Sequence, residues 1–68
     1  MAEINKQVGL KIRALREKKG WTQEQLAFEA RLHRAYIGQI ERGEKNIGIK
    51  NLDTIAKTLN INISELLK

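Results

Sequence analysis

The chain has 68 residues and a formal net charge of +5 at pH 7, which is the size of one small domain with a basic surface. A basic chain of this size favours polyanionic partners such as nucleic acid or anionic lipid. It contains no cysteine, so disulfide bonds and thiolate metal sites are excluded and an apolar core must hold the fold together. We therefore expect a single domain over residues 1–68.

Catalysis and membrane attachment are not expected. The chain has one histidine and no glycine-rich phosphate loop, so it lacks the clusters and motifs of enzymes, and we expect no metal and no cofactor. No apolar run approaches the roughly 18 residues of a membrane span, and the first residues lack the continuous apolar stretch of a signal peptide. These features predict a cytoplasmic protein.

The first half of the chain predicts three helices. Apolar residues at helical spacing indicate the first helix, and Gly20 is placed to end it. The apolar residues of this helix are Ile4, Val8, Ile12 and Leu15. A second, short helix starts at Thr22, whose hydroxyl is placed to cap it while the Gln25 side chain reaches back. Its inward residues are Leu26, Ala27 and Ala30. The pattern resumes as a third helix over residues 33–42, after which Gly43 supplies a left-handed residue.

Two further helices complete the chain. Asn60 is placed as the left-handed stop of the fourth helix. The apolar stripe of that helix consists of Ile49, Leu52, Ile55, Ala56 and Leu59. Asn62 is placed to cap a last short helix that reaches Leu67. Five helices and no strand candidate predict an all-α fold.

The second and third helices have the form of a DNA-binding pair. Two helices joined by a short turn can set the exposed face of the second one into a major groove. At 100° per residue, the core side of the third helix holds Tyr36, Ile37 and Ile40. Its polar side holds Ala35, Gln39 and Arg42. Arg34 lies in the first turn, which is the part of a recognition helix that most readily reaches base edges.

Arg34 and Gln39 are the predicted base readers. The Arg34 fork matches the O6 and N7 acceptors of guanine, and Gln39 can donate to and accept from adenine. Ala35 can contact only a thymine methyl group. Gly38 on the exposed side either lets the helix approach DNA closely or is an incidental small residue. The residues placed to meet phosphates are Gln23, Tyr36 and Arg42.

Three stretches of the sequence resemble the Cro/CI-type helix-turn-helix family of bacterial and phage repressors. They are TQEQLA at 22–27, YIGQIERG at 36–43 and IAKTL at 55–59. The resemblance covers roughly residues 8–67 and implies the compact five-helix, lambda-repressor-like fold, with the helix-turn-helix at about residues 22–43. Within the family, residues 34–37 followed by Glu41-Arg42 and Asn46 look most like the small controller proteins of restriction-modification systems.

The resemblance implies a symmetric homodimer that binds double-stranded DNA at a palindromic operator. The residues that it places at the bases are Arg34, Ala35 and Gln39. Those that it places near the DNA backbone are Gln23, Arg42 and Lys45. It also implies a structural ion pair between Arg16 and Glu41. The chain departs from the family pattern at Arg31, His33 and Ile47. At these positions glycine, a capping residue and proline are common, so the departures concern turn geometry rather than DNA contacts.

The C-terminal segment is crowded with apolar residues, namely Ile61, Ile63, Leu66 and Leu67. We expect a dimer interface there, and the alternative is that these side chains complete the core. Phe28 lies outside the apolar stripe of the second helix and has no assigned role. One interpretation is that Phe28 belongs to a surface that binds a partner.

Together these patterns predict a sequence-specific transcription regulator, and in particular an autoregulating controller of a restriction-modification system. The alternatives are a phage-type repressor, or an antitoxin or protein-interaction module whose DNA binding is secondary. We expect the chain to be encoded by a bacterium or a phage and to act in the bacterial cytoplasm, at the nucleoid. RNA polymerase is a candidate partner there.

Overall fold

Five helices make up residues 2–67, the part of the chain that a computed structural model describes. In chain order they are α1 Ala2–Lys18, α2 Gln23–Ala30, α3 Arg34–Glu41, α4 Ile49–Thr58 and α5 Ser64–Leu67. Within these residues no strand is present, so the predicted all-α, five-helix fold is confirmed. No helix in this range is both long and apolar enough to cross a bilayer.

Every helix contributes apolar side chains to one core. Its buried members include Val8, Ile12, Leu26, Ile37, Ile40, Leu52, Ile55 and Leu66. Two residues of the predicted stripes are exposed instead, because Ile4 is 52% exposed and Ile49 is 70% exposed. Both lie in the first turn of their helices. Helical spacing identifies the face of a helix, but it does not show how far along its axis the neighbouring helices reach.

The first four helices end in the same backbone motif. In each, a residue with positive φ reverses the chain, and the next residue donates its N–H to a carbonyl in the last turn, which is a Schellman motif. The left-handed residues are Gly20, Arg31, Gly43 and Asn60. Arg31 adopts a φ of 58° although the family pattern usually has glycine there. For a residue with a Cβ atom this conformation costs about 1–2 kcal/mol.

The helix beginnings are capped in part as the sequence predicts. The Thr22 hydroxyl accepts a hydrogen bond from the Gln25 backbone N–H at 3.0 Å, and the Asn62 side-chain oxygen accepts one from Ser64 at the same distance. His33 occupies the cap position of α3 but makes no capping hydrogen bond with its side chain. Core burial of α3 therefore fixes its position more than its cap does.

Gly9 allows α1 and α3 to pack with their backbones in contact. A Cβ atom at this position would lie 2.7 Å from the carbonyl oxygen of Glu41 and closer still to that of Ile40. Both are backbone atoms, which cannot move aside as the end of a side chain can. The close approach therefore requires a residue without a side chain.

We expect Gly9→Ala to lower the free energy of unfolding by about 1–3 kcal/mol, because the added methyl group overpacks the contact between α1 and α3. Helix propensity alone predicts the opposite, a gain of about 1 kcal/mol. Urea unfolding followed by circular dichroism measures the difference. Gly38→Ala is the matched control, since it also replaces a glycine inside a helix but its Cβ would meet only side-chain atoms. Equal effects of the two substitutions would contradict the packing role of Gly9.

Candidate nucleic-acid interface

The turn between α2 and α3 sets the outward face of α3. Arg31 ends α2 in the left-handed conformation, and the Leu32 N–H then donates to the carbonyl of Ala27 at 2.9 Å. Leu32 is partly buried against the core. Because Ile37 and Ile40 are buried in the same core, the opposite side of α3 is left facing solvent.

This outward face and the start of α2 form one shallow concavity of about 350 Å³. Its lining residues are Gln23, Arg34, Ala35, Gly38, Gln39 and Arg42. The structure thus brings together all three residues predicted to contact bases and two of those predicted to contact phosphates. Arg34 and Ala35 are exposed, and Gln39 is partly exposed. The surface offers hydrogen-bond donors and acceptors on the solvent-facing side of α3.

Two of the predicted backbone-contacting residues lie outside this concavity. Tyr36 is half-buried, and its hydroxyl accepts a hydrogen bond from the Asn51 side chain at 3.0 Å. The hydroxyl hydrogen remains available to donate to a further acceptor. Lys45 is exposed in the loop between α3 and α4.

A buried ion pair joins α1 to the end of α3. Arg16 Nε donates to Glu41 Oε2 at 2.7 Å and Arg16 Nη2 donates to Glu41 Oε1 at 3.1 Å. The two side chains are only 9% and 2% exposed. The hydrogen bond and charge of Glu41 raise the pKa of the Arg16 guanidinium above its ordinary value. The ion pair implied by the family resemblance is therefore present, and it is inside the protein rather than on its surface.

The same ion pair holds the start of α2. Arg16 Nη1 donates to the carbonyl oxygen of Trp21 at 2.7 Å, and Gln23 Nε2 donates to Glu41 Oε1 at 3.0 Å. Gln23 thus has one face on Glu41 and another on the concavity. An amide NH₂ group carries two donor hydrogens, so the bond to Glu41 leaves one of them for another acceptor.

Gly38 lies on the predicted outward face of α3, at the concavity, but it is buried rather than exposed. A Cβ atom built there would lie 3.1 Å from Arg42 Nη1 and 3.6 Å from Gln23 Oε1. These two side chains cover the backbone of α3 at the centre of the concavity. The absence of a side chain at Gly38 leaves room for them.

Arg42 has a partner that sequence reasoning missed. Arg42 Nε donates to Glu44 Oε2 at 2.8 Å and Arg42 Nη2 donates to Glu44 Oε1 at 3.2 Å. The hydrogen bond from Arg42 lowers the pKa of the Glu44 carboxyl group below its ordinary value. The signal that could have found Glu44 is its place directly after the left-handed Gly43, since this position folds back onto its own helix.

The C-terminal segment is divided between core and surface. Leu66 is 1% exposed in the single chain, so it is a core residue and the prediction that it forms a dimer interface is wrong. Ile61 and Ile63 are partly buried and pack against the same core. Leu67 is 51% exposed. Leu67 is thus the most accessible of the four residues predicted for the interface.

Phe28 is 79% exposed on the outer side of α2. It lies beside Thr22, Glu24 and Gln25 at a separate, open depression. Between residues 2 and 67 no three side chains of metal-binding type come together at one place.

Known proteins are similar to this chain in sequence and in fold. A profile of the helix-turn-helix family matches residues 12–66. Control protein C.BamHI of Bacillus amyloliquefaciens is 45% identical over 60 residues, which are 87% of this chain and 74% of that protein. The crystal structure of the restriction-modification controller protein C.AhdI from Aeromonas hydrophila has a TM-score of 0.90 and 39% identity, covering 97% of this chain and 98% of that one. The crystal structure of SinR, a master regulator for biofilm formation, in complex with DNA has a TM-score of 0.86 and 29% identity, covering 90% of this chain and 98% of that one.

The chain therefore belongs to the helix-turn-helix family. Its similarity to C.BamHI and C.AhdI extends over most of its length, which confirms the resemblance to restriction-modification controller proteins. The family is one of transcription regulators rather than enzymes.

We expect Glu41→Gln to lower the free energy of unfolding by about 3–5 kcal/mol, because it leaves the buried Arg16 charge with only the exposed Glu17 carboxylate, 3.9 Å away, as a counter-charge. That is a large part of the total stability of a domain of this size. Urea unfolding followed by circular dichroism provides the measurement. Glu44→Gln makes the same chemical change in an exposed pair and is expected to leave the unfolding midpoint close to that of the wild type. If both variants unfold at the same urea concentration, the buried pair has no special structural role.

Proposed function

We propose that the chain is a sequence-specific regulator that binds double-stranded DNA as a homodimer at a palindromic operator and controls a restriction-modification system together with its own gene. The observation that carries the proposal is the concavity formed by α3 and the start of α2. It gathers Arg34, Ala35 and Gln39 on one exposed face. The similarity to two controller proteins and to a regulator crystallised with DNA supports it.

The dimensions of α3 suit a major groove. A helix with its side chains is about 10–12 Å in diameter, and the major groove is about 12 Å wide. Arg34 at the first position of α3 can bind guanine O6 and N7 with its fork, and Gln39 further along can bind adenine. Ala35 lies between them and offers a methyl group to thymine. A short run of bases in each half-site is thus read by one face of one helix.

Charge on the DNA-facing side depends on the buried ion pair. Glu41 is paired with Arg16 inside the protein, so its negative charge does not face the concavity. The exposed cations Arg34 and Lys45 are then available to phosphates or bases, whereas Arg42 is paired with Glu44. Gln23 at the start of α2 adds a neutral donor beside the free N–H groups of the helix N-terminus, which favour an anion.

Selection from a randomised duplex library at physiological salt, followed by sequencing of the retained pool, tests the proposed function. We expect enrichment of two inverted half-sites about 10 bp apart, centre to centre. Binding that depends only on salt and enriches no sequence would contradict the proposal and favour a protein-interaction module.

The base readers and the phosphate contacts are distinguishable by substitution. We expect Arg34→Ala to cost about 1–3 kcal/mol on the selected operator and to relax the preference at one base pair in each half-site. Lys45→Ala is expected to weaken binding to operator and random DNA alike and to reduce the salt slope by about one unit. Fluorescence anisotropy titrations at several salt concentrations measure both. Equal losses on operator and random DNA for Arg34→Ala would show that Arg34 does not read bases.

The exposed side of the C-terminal segment is the proposed dimer interface, with Leu67 at its centre and Ile61 and Ile63 beside it. We expect Leu67→Asp to lower the mass measured by sedimentation to that of a monomer while the circular dichroism spectrum is retained, because a charge at an apolar interface is costly. Leu10→Asp is the matched control, since Leu10 is 60% exposed on α1. A Leu67→Asp protein that stays dimeric at the same concentration would place the interface elsewhere.

This role also implies where the protein acts and with what. A regulator of this kind works in the cytoplasm at the nucleoid, and the position of its operator relative to RNA polymerase decides whether it activates or represses. RNA polymerase is accordingly the proposed further partner.

A further inference from the structure

The end of α3 differs from the ends of the other helices that share its backbone motif. The residue that follows the left-handed position is apolar at the ends of α1, α2 and α4, and there it packs against the core, as is usual for this motif. These apolar residues are Trp21, Leu32 and Ile61. At the end of α3 the equivalent residue is Glu44, which is exposed. A carboxylate therefore takes the place of a hydrophobic contact only at the end of the recognition helix.

The backbone fixes where this carboxylate lies. Gly43 has a φ of 73°, and the Glu44 N–H donates to the carbonyl of Gln39 at 2.9 Å. The Glu44 side chain then receives two hydrogen bonds from Arg42, at 2.8 and 3.2 Å. Two parallel bonds between a guanidinium and a carboxylate fix the plane of the guanidinium as well as its position.

This pair is not needed for the fold. The Arg42 and Glu44 side chains are 57% and 54% exposed, and exposed ion pairs contribute little to stability. It does determine where the rest of the Arg42 guanidinium lies. Nε and Nη2 of Arg42 are hydrogen-bonded to Glu44. The remaining nitrogen, Nη1, lies over Gly38, 3.1 Å from where a Cβ atom would stand, in the concavity that Arg34 and Gln39 also line.

We infer that Glu44 is a specificity-determining residue, which positions Arg42 at the DNA-facing surface and lowers the affinity of the chain for random DNA. The inference rests on the proposed function. A free arginine on a flexible stem offers a full positive charge to any phosphate within its reach, and that attraction is independent of sequence. Glu44 offsets this charge, so the attraction of Arg42 to phosphates in general is weakened. It also holds Arg42 Nη1 in one position, where it can donate to a DNA duplex whose sequence fits the surface.

The test is Glu44→Gln, which keeps the shape of the side chain and removes its charge. We expect the salt slope of binding to random DNA to steepen by about one unit, since Arg42 is released to a phosphate. We expect the ratio of operator affinity to random-DNA affinity to fall about fivefold, the lower end of what one good base contact contributes. Anisotropy titrations on the selected operator and on a scrambled duplex give both quantities.

Two further variants separate this effect from net charge. Glu29→Gln raises the net charge equally on the exposed side of α2, away from the concavity, and is expected to change the affinity ratio much less. In an Arg42→Gln background, Glu44→Gln is expected to leave the ratio unchanged, because Glu44 acts through Arg42. A ratio that falls equally in that background, or equally in Glu29→Gln, would overturn the inference.

The remaining outcomes distinguish this inference from the proposed function. A wild-type protein that prefers its operator, with a Glu44→Gln variant that keeps the same ratio and the same salt slope, would overturn the inference alone. A wild-type protein that prefers no duplex at all would overturn the proposed function and the inference with it.

Discussion

The buried ion pair between Arg16 and Glu41 is the interaction on which the geometry of the proposed DNA-facing surface depends. Removing two charges from water is costly, and a buried pair is stable only when its geometry is good and its remaining groups are hydrogen-bonded. Here Arg16 also reaches the carbonyl of Trp21, and Glu41 also accepts from Gln23. No buried side-chain nitrogen or oxygen in the described part of the chain lacks a partner. One pair thus connects α1, the turn after it, the start of α2 and the end of α3.

The ion pair and the tight packing at Gly9 act at the same crossing. The backbone of α1 at Gly9 lies against the carbonyls of Ile40 and Glu41, so Glu41 is held both by its backbone and by its side chain. A pair of apolar residues of similar volume could stabilise such a crossing as well as an ion pair does. It could not also accept the hydrogen bond that orients Gln23. We therefore attribute the use of an ion pair at this crossing to the hydrogen bond between Gln23 and Glu41, which fixes α2 relative to α3.

Much of the fold follows from local patterns, and what does not follow is non-local. Helical spacing and left-handed stops identified the helices, since Gly20, Gly43 and Asn60 have positive φ where the pattern requires it. The same spacing misplaced Ile4 and Ile49, because burial depends on what lies opposite. Leu66 was ambiguous for the same reason, as an apolar residue near a chain end suits a core and an interface equally.

The candidate site shows the same division. The outward residues of α3 follow from angle alone, and the structure gathers them. Arg16 and Glu41 are 25 positions apart, so no local pattern joins them and only the family resemblance did. The burial of Gly38 was not predicted, because the side chains that cover it belong to Gln23 and Arg42. The pairing of Glu44 with Arg42 was missed because it depends on the chain reversal at Gly43, which brings Glu44 back towards α3.

Core packing and the proposed DNA contacts use different sides of α3, so the outward surface can change while the fold persists. Ile37 and Ile40 face the core, whereas Arg34 and Gln39 make no contact on which the packing depends. An exposed helical residue can therefore be replaced at little cost in stability. C.AhdI and SinR, at 39% and 29% identity, keep the fold with TM-scores of 0.90 and 0.86. The constraint falls instead on positions such as Gly9, Arg16 and Glu41, where a change would move the helix itself.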